Sequence, residues 1–376
     1  MDPHMKSLST STSRAQSIGQ ILYTVFVILV FLLSMLFLYY GMTTTDWHDF
    51  DVFYAAAKAA LLGQSIYVVT GKFNLPFWYF PWTAWLFIPF AVWPRSVALI
   101  LYKICLVICA ILGVNSLLAY YNSKFKLLDR VLLISLIIPM SWQVLIVGQM
   151  EFILLALVIL TIYSIEKGNM WTAGLVFPFL WTKPHLLVIF TLMAFWRGGK
   201  RLVAVSAGAS IAMLLLETLL SPGWYLDMWN LLKAGQNRTE GLKFTTLPSL
   251  LGGQENWVGT GNLPITILLI AIALVAVWSV RRLPTVPLLS LSLAASLFCA
   301  PRAYAYDLPL LIPAMIWLTA KEFRSNLWIW IVAAVLPPLF RFSSAAYLVT
   351  LLVFVLGIAK ARLENKLSNG QVFKEA

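Results

Sequence analysis

"IGQILYTVFVILVFLLSMLFLYY", residues 18–40, contains no charged side chain. A helix needs ~20 apolar residues to cross a ~30 Å hydrocarbon core, so this stretch is long enough to span a membrane. It lacks the small-x-small cleavage site of a secretory leader and reads as an uncleaved first span. The preceding "KSLSTSTSRAQ", residues 6–16, is polar and basic, which places the N-terminus in the cytoplasm. The opening "MDPHM" reads as cloning residue ahead of a native start at Met5, making residues 1–17 a cytoplasmic tail.

The rest of the chain follows the same pattern. It is 61% hydrophobic and 11% charged, against roughly 25% charged in an average soluble domain. No soluble fold buries that much apolar surface, so the bilayer is the solvent. Alternating ten-residue barrel patterns are absent, which makes the spans helical. The candidate spans are 18–40, 80–94, 96–121, 131–147, 150–166, 170–196, 202–220, 263–280, 284–300, 304–320, 325–341 and 344–360. The fold class is therefore an all-α polytopic bundle of about 12 spans (about 10–13), with short amphipathic helices in the first outer loop. Residues 18–360 form one membrane domain, and residues 361–376 form a second cytoplasmic tail.

The net charge of +12 does not point to nucleic acid, because Lys and Arg fall in short clusters between apolar runs. Arg197/Lys200/Arg201, Arg281/Arg282 and Lys321/Arg324 lie inside on this count, whereas Lys124, Lys126 and Arg130 fall outside. Pro139, Pro178 and Pro184 interrupt 131–196, which allows re-entrant or broken pieces there. Cys105, Cys109 and Cys299 form neither a CxxC pair nor a disulfide framework, and no metal-ligand cluster is visible.

Two long polar segments, 41–79 and 221–262, reach the outer face together with the turns at Pro301–Arg302 and Arg341–Ser344. The first places Asp46, His48, Asp49 and Asp51 within six positions, in a chain with only 15 acidic residues. In "DFDVFYAAAKAALLG", residues 49–63, helical spacing gives an interfacial amphipathic helix with Asp49 near its N-terminus. One aspartate there can be an ordinary helix cap. "FNLPFWYFPWTAWLFIPF", residues 73–90, is an aromatic belt that leads into the next span. "VGQMEF", residues 147–152, sets Gln149 and Glu151 between apolar runs. "LWTKPHLLVIF", residues 180–190, sets Lys183 and His185 around Pro184. Intramembrane charge is costly and commonly functional, although Lys183 can also bond the carbonyls that Pro184 frees. "LFCAPRAYAYDLPLLIPAMIW", residues 297–317, carries Arg302, Tyr304, Tyr306 and Asp307. Arg302 and Asp307 can pair with each other or touch a substrate. Arg238 and Arg341 add further outer cations.

One carboxylate facing several cations at a membrane surface suits group transfer from an anionic lipid. A sugar leaving a lipid phosphate needs no general acid, unlike the two-carboxylate arrangement of glycosidases. It needs a base for the acceptor hydroxyl and donors that hold the phosphate. A lipid transporter or flippase would instead show inverted repeats and midplane broken helices, and a membrane scaffold would not need acids facing cations. No internal repeat is evident.

Taken in order, these segments resemble glycosyltransferase family 87. The resemblance rests on Asp49-Phe50-Asp51-Val52-Phe53-Tyr54, Gly63 to Tyr67, Tyr79-Phe80-Pro81, Gly148-Gln149, Lys183-Pro184 and Pro301 to Leu308, and covers most of residues 20–320. The chain departs from the family's usual Tyr-Pro-Pro at Phe80, from a polar residue at Met150, and from a frequent His at Arg302. The resemblance implies a GT-C-like fold and an inverting enzyme that uses a polyprenyl-phosphate sugar, commonly mannose, and a lipid or glycan acceptor. It implies no metal and no cofactor. Asp49 becomes the catalytic base, with Asp51 and then Asp46 as further candidates. Lys183, Arg302, Arg341 and Arg238 are expected on the lipid phosphate. Tyr54, Tyr79 and Tyr306 are expected around the sugar, with His48, Gln149, His185, Tyr304 and Asp307 also in the substrate site. The expected location is a bacterial inner or plasma membrane, with both termini cytoplasmic and the site on the outer face.

Overall fold

A computed structural model of the chain describes residues 3–44, 48–67, 75–121, 125–235, 263–339 and 343–372. The regular structure of these residues is all helical, with no strand among them. The helices are α1 Pro3–Thr43, α2 His48–Leu61, α3 Pro81–Ala91, α4 Arg95–Tyr120, α5 Leu127–Met140, α6 Trp142–Val147, α7 Glu151–Glu166, α8 Met170–Leu180, α9 Val188–Leu220, α10 Trp224–Gly235, α11 Leu263–Ser279, α12 Thr285–Cys299, α13 Ile312–Thr319, α14 Leu327–Leu339 and α15 Ser343–Val372. Short 3-10 turns lie at Pro184–Leu186 and Ala305–Leu311.

Four segments are long and apolar enough to cross a membrane: Ser17–Thr43, Arg95–Tyr120, Val188–Leu220 and Ala345–Asn365. Their outward faces are apolar. Leu22, Leu29 and Leu36 on α1 are each more than 60% exposed. Water would penalise such a surface at about 25 cal/mol per Å², whereas lipid does not. At the centre of the bundle, every residue of α12 is buried. Two of its three serines fit there because their hydroxyls find partners, whereas the buried Ser290 hydroxyl has none among the described residues. Ser292 and Ser296 bond back to α12 carbonyls, and Ser296 Oγ also accepts the Phe190 N–H, an orphan donor in the first turn of α9.

Besides 131–147, which breaks at Ser141 into α5 and α6, two expected spans differ from the sequence reading. The segment 170–196 is not one helix. α8 ends at Leu180 and α9 begins at Val188, because Pro184 has no N–H to donate and clashes with a continuing turn. α9 is itself broken at Gly199, whose φ of 64° is left-handed. The segment 80–94 shortens to the 11 residues of α3. Both of its flanks meet α2: before it the Tyr79 ring packs on Phe53 at 5.0 Å, and after it Tyr54 Oη donates to Trp93 O at 2.9 Å, Lys58 Nζ reaches Ala91 O at 3.4 Å, and Arg95 pairs with Asp51.

A further correction concerns the basic joints. The sequence reading separated Lys126 and Arg130 from Lys321 and Arg324. In the structure Arg324 Nε bonds Asp129 Oδ1 at 3.1 Å, and Tyr23 Oη bonds the same oxygen at 2.6 Å. The start of α5, the turn after α13 and the first part of the α1 span therefore meet at one end of the bundle. Lys124 lies outside the described residues.

Candidate active site

The first turn of α2 presents Asp49 and Asp51. Two positions apart on a helix, they point in different directions. Asp51 is buried, and its two oxygens take Arg95 Nε at 2.5 Å and Nη2 at 2.9 Å. This bidentate fork ties α2 to the start of α4. Asp51→Asn is accordingly expected to destabilise the protein by roughly 1–3 kcal/mol, between exposed and fully buried pairs, while leaving turnover per folded molecule close to wild type. Thermal unfolding in detergent beside a turnover assay checks this. A collapse of turnover at intact stability would return Asp51 to the catalytic role read from the sequence.

Asp49 faces the other way. Gln149 Nε2 donates to Asp49 Oδ2 at 2.6 Å. Gln149 is held from behind: α6 stops at Gly148, where φ is 77°, and Tyr102 Oη donates to the carbonyls of Gly148 and Gln149 at 3.3 and 3.0 Å. A glycine suits this left-handed position because it carries no Cβ. Burial pushes the Asp49 carboxyl above the ordinary carboxylate range, while the Gln149 hydrogen bond and the Lys183 charge pull the other way.

Below Asp49 lies a buried charge cluster. Lys183, in the irregular segment that Pro184 creates, bonds Glu151 at the start of α7 and Asp307 Oδ1 at 3.1 Å. Asp307 Oδ2 accepts the Tyr304 N–H at 2.7 Å, which fixes the 3-10 turn at Ala305–Leu311. The Lys183 ammonium also sits 4.8 Å from the centre of the Tyr306 ring, and Tyr306 stacks on Tyr304 at 4.8 Å. The Tyr79 phenol is beside Gln149, within reach of the charges on Lys183, Asp49 and Glu151. His185 borders the cluster, facing Asp307, Lys183 and Arg302. The structure thus gathers Asp49, Tyr79, Gln149, Lys183, His185, Arg302, Tyr304, Tyr306 and Asp307 from five chain segments.

Other expectations fare differently. Lys183 was read as a phosphate cation, but two carboxylates already match its single charge. Asp307 pairs with Lys183 rather than with Arg302. Tyr54 packs at a tilt against Phe50 and bonds Trp93 O, so it braces α2 away from the cluster. His48 is exposed beside Asp49. Asp46, Arg238 and Arg341 lie outside the described residues. Glu151 received no role from sequence, although an acid within an apolar run was a signal. Arg95 and Tyr102 carried no signal of their own. Ser65 Oγ donates to Asp227 Oδ2 at 2.5 Å, so α10, in the second long polar segment, docks on the first loop.

This geometry offers one desolvated carboxylate, aromatic walls and a buried ionic floor. A model of glycosyltransferase family 87 matches residues 77–304, well over half of the chain. The chain belongs to glycosyltransferase family 87. No curated protein and no solved structure matches it. The matched segment of this glycosyltransferase contains Tyr79, Gln149, Glu151, Lys183, His185, Arg302 and Tyr304. Asp49 lies before it and is joined to it through Gln149. The apolar helices and the family together make it a membrane glycosyltransferase, consistent with the GT-C superfamily.

Proposed function

We propose that this protein is an inverting membrane glycosyltransferase. It moves a sugar, mannose by family resemblance, from a polyprenyl phosphate to the hydroxyl of a lipid or glycan on the non-cytoplasmic face. The observation that carries the reading is the Asp49 carboxylate, held by Gln149 and desolvated at the edge of the Lys183–Glu151–Asp307 cluster.

Asp49 takes the proton of the acceptor hydroxyl as its oxygen attacks the anomeric carbon. The bond from that carbon to the phosphate oxygen breaks, and its electron pair leaves on the polyprenyl phosphate. Attack opposite the leaving group inverts the anomer. The leaving phosphate is a stable anion, so a single base suffices. Arg302, beside His185, holds the phosphate in this reading, with Arg238 and Arg341 as further candidates. Tyr79, Tyr304 and Tyr306 give the sugar flat apolar faces. Lys183 holds three segments together as the floor of the site and does not supply net positive charge.

The tie points support one topology. α3 has both flanks on α2, so it enters and leaves on the outer side without crossing. α8, the first part of α9 and the part after Gly199 each cross. With α1, α4, α5, α7, α11, α12, α14, α15 and the Ala305–Thr319 segment, the count is again about a dozen, in keeping with the chain length. Lys126 and Arg130 then join the other basic joints in the cytoplasm, as the positive-inside rule requires.

The test is transfer by purified protein in liposomes, from polyprenyl-phosphate mannose to a membrane lipid extract, with the anomer determined by NMR. Product of inverted configuration is expected. Product of retained configuration would overturn the single-base mechanism. The pH dependence supplies an independent check. Asp49 works ionised, so the rate falls as pH drops through its pKa. That pKa is raised by burial, so the acid limb of kcat/KM is expected above the ~3.9 of a free aspartate. A limb at or below that value would remove Asp49 as the base.

A further inference from the structure

At the end of α13 remote from the Asp49 cluster lies a cavity of about 330 Å³ that the transfer chemistry does not use. It is lined by Phe125, Lys126 and Asp129 at the start of α5, and by residues 320–325 after α13, including Lys321, Glu322 and Arg324. Asp129 is a fixed organiser here. It accepts hydrogen bonds from Tyr23 Oη at 2.6 Å, Arg324 Nε at 3.1 Å and the Lys126 N–H at 3.2 Å. Arg324 is held twice, by this carboxylate and by the Tyr23 ring, whose centre is 4.2 Å away. It bonds Asp129 through Nε and also meets the Tyr23 side chain, while 43% of its own side chain stays exposed at the cavity. A guanidinium posed in this way has lost its rotamer freedom in advance and presents a planar fork suited to phosphate.

Lys126 and Lys321 bring two more cations to the same rim. Lys321 meets Glu364 at 3.2 Å, but its side chain is 78% exposed, so that pair holds it weakly. Glu322 also lines the cavity and opposes a second phosphate. The volume is at the lower end of small-ligand cavities, which fits a head group and excludes acyl chains. Exposed apolar residues begin at its edge: Leu127 opens α5, and Trp328 lies in the first turn of α14.

We propose that this cavity binds the phosphate of an anionic membrane phospholipid, with Arg324 as the fork, Lys126 and Lys321 as the flanking cations, and the acyl chains running along α5 and α14. The site is independent of the transfer reaction.

Native mass spectrometry of the full-length protein with added phosphatidylglycerol, phosphatidylethanolamine or phosphatidylcholine tests it. The double variant Lys126→Gln/Lys321→Gln spares Asp129 and Arg324. A second double variant, Lys200→Gln/Arg282→Gln, removes equal charge from other basic joints. One phosphatidylglycerol is expected to remain bound where phosphatidylcholine is stripped, and roughly thirtyfold weaker binding is expected on the first variant, given ~1 kcal/mol for each of the two basic residues removed. The second variant should bind as wild type. Equal loss in both variants would reduce the effect to general surface attraction and overturn the site. Retention unchanged in the first variant would do the same. Displacement of the lipid by millimolar inorganic phosphate would show a soluble phosphate ligand instead of a lipid.

Discussion

Asp49→Asn is expected to abolish sugar transfer while leaving the protein folded. A general base contributes about 10²–10⁴-fold to rate, and an amide cannot accept the acceptor's proton. Folding should survive for a reason visible in the site. The folded-state pKa of Asp49 is raised, so its contribution to stability is present below the unfolded pKa and is lost as pH rises through the folded value. At neutral pH the ionised carboxylate costs stability. Asparagine keeps the shape, removes that charge and can still accept from Gln149. The variant is therefore expected to unfold at or above the wild-type temperature. Transfer assays on monodisperse protein, with thermal unfolding alongside, check both halves. A variant that is inactive only because it is unfolded would leave the base unassigned and contradict the stability argument.

Lys183→Met carries the largest expected effect on stability. Glu151 and Lys183 are both buried, as is Asp307, and removing the shared cation leaves two carboxylates facing each other without compensation. Breaking a buried pair in this way costs roughly 3–5 kcal/mol. The triple change Lys183→Met, Glu151→Gln, Asp307→Asn removes all three charges and should recover most of that loss, since neutral replacements of buried ion clusters are close to break-even. Unfolding temperatures of the two variants in one detergent decide the point. If Lys183→Met unfolds like wild type and only raises the KM for the lipid-linked donor, Lys183 is a phosphate ligand, as first read from the sequence, and the ionic floor described above is wrong.

The helical membrane class was legible because it rests on composition and run length, which are local. The segments that build the site were also legible, because charge inside an apolar run is conspicuous wherever it occurs. The pairing was not. Gln149 reaches Asp49 across 100 positions, and Lys183 reaches Asp307 across 124. A single sequence carries no signal at such separations, so it does not show that Asp49 and Asp51 take different partners on opposed sides of α2. Arg95 explains the second aspartate, yet by itself it looks like any basic residue at the end of a span. Hydropathy also overran α3, which is helical over Pro81–Ala91 rather than 80–94. "PWTAWLFIPFA" is apolar throughout, and only the contacts of its two flanks with α2 show that it packs beside the first loop.

The most direct test of the central claim uses Asp49→Ala with sodium azide. Azide is a nucleophile that carries no proton, so it needs no base. If Asp49 serves only to deprotonate the acceptor, the variant should fail with the natural acceptor yet convert polyprenyl-phosphate mannose and azide to the mannosyl azide of inverted configuration. Transfer to the hydroxyl acceptor at wild-type rate by the same variant would contradict the account.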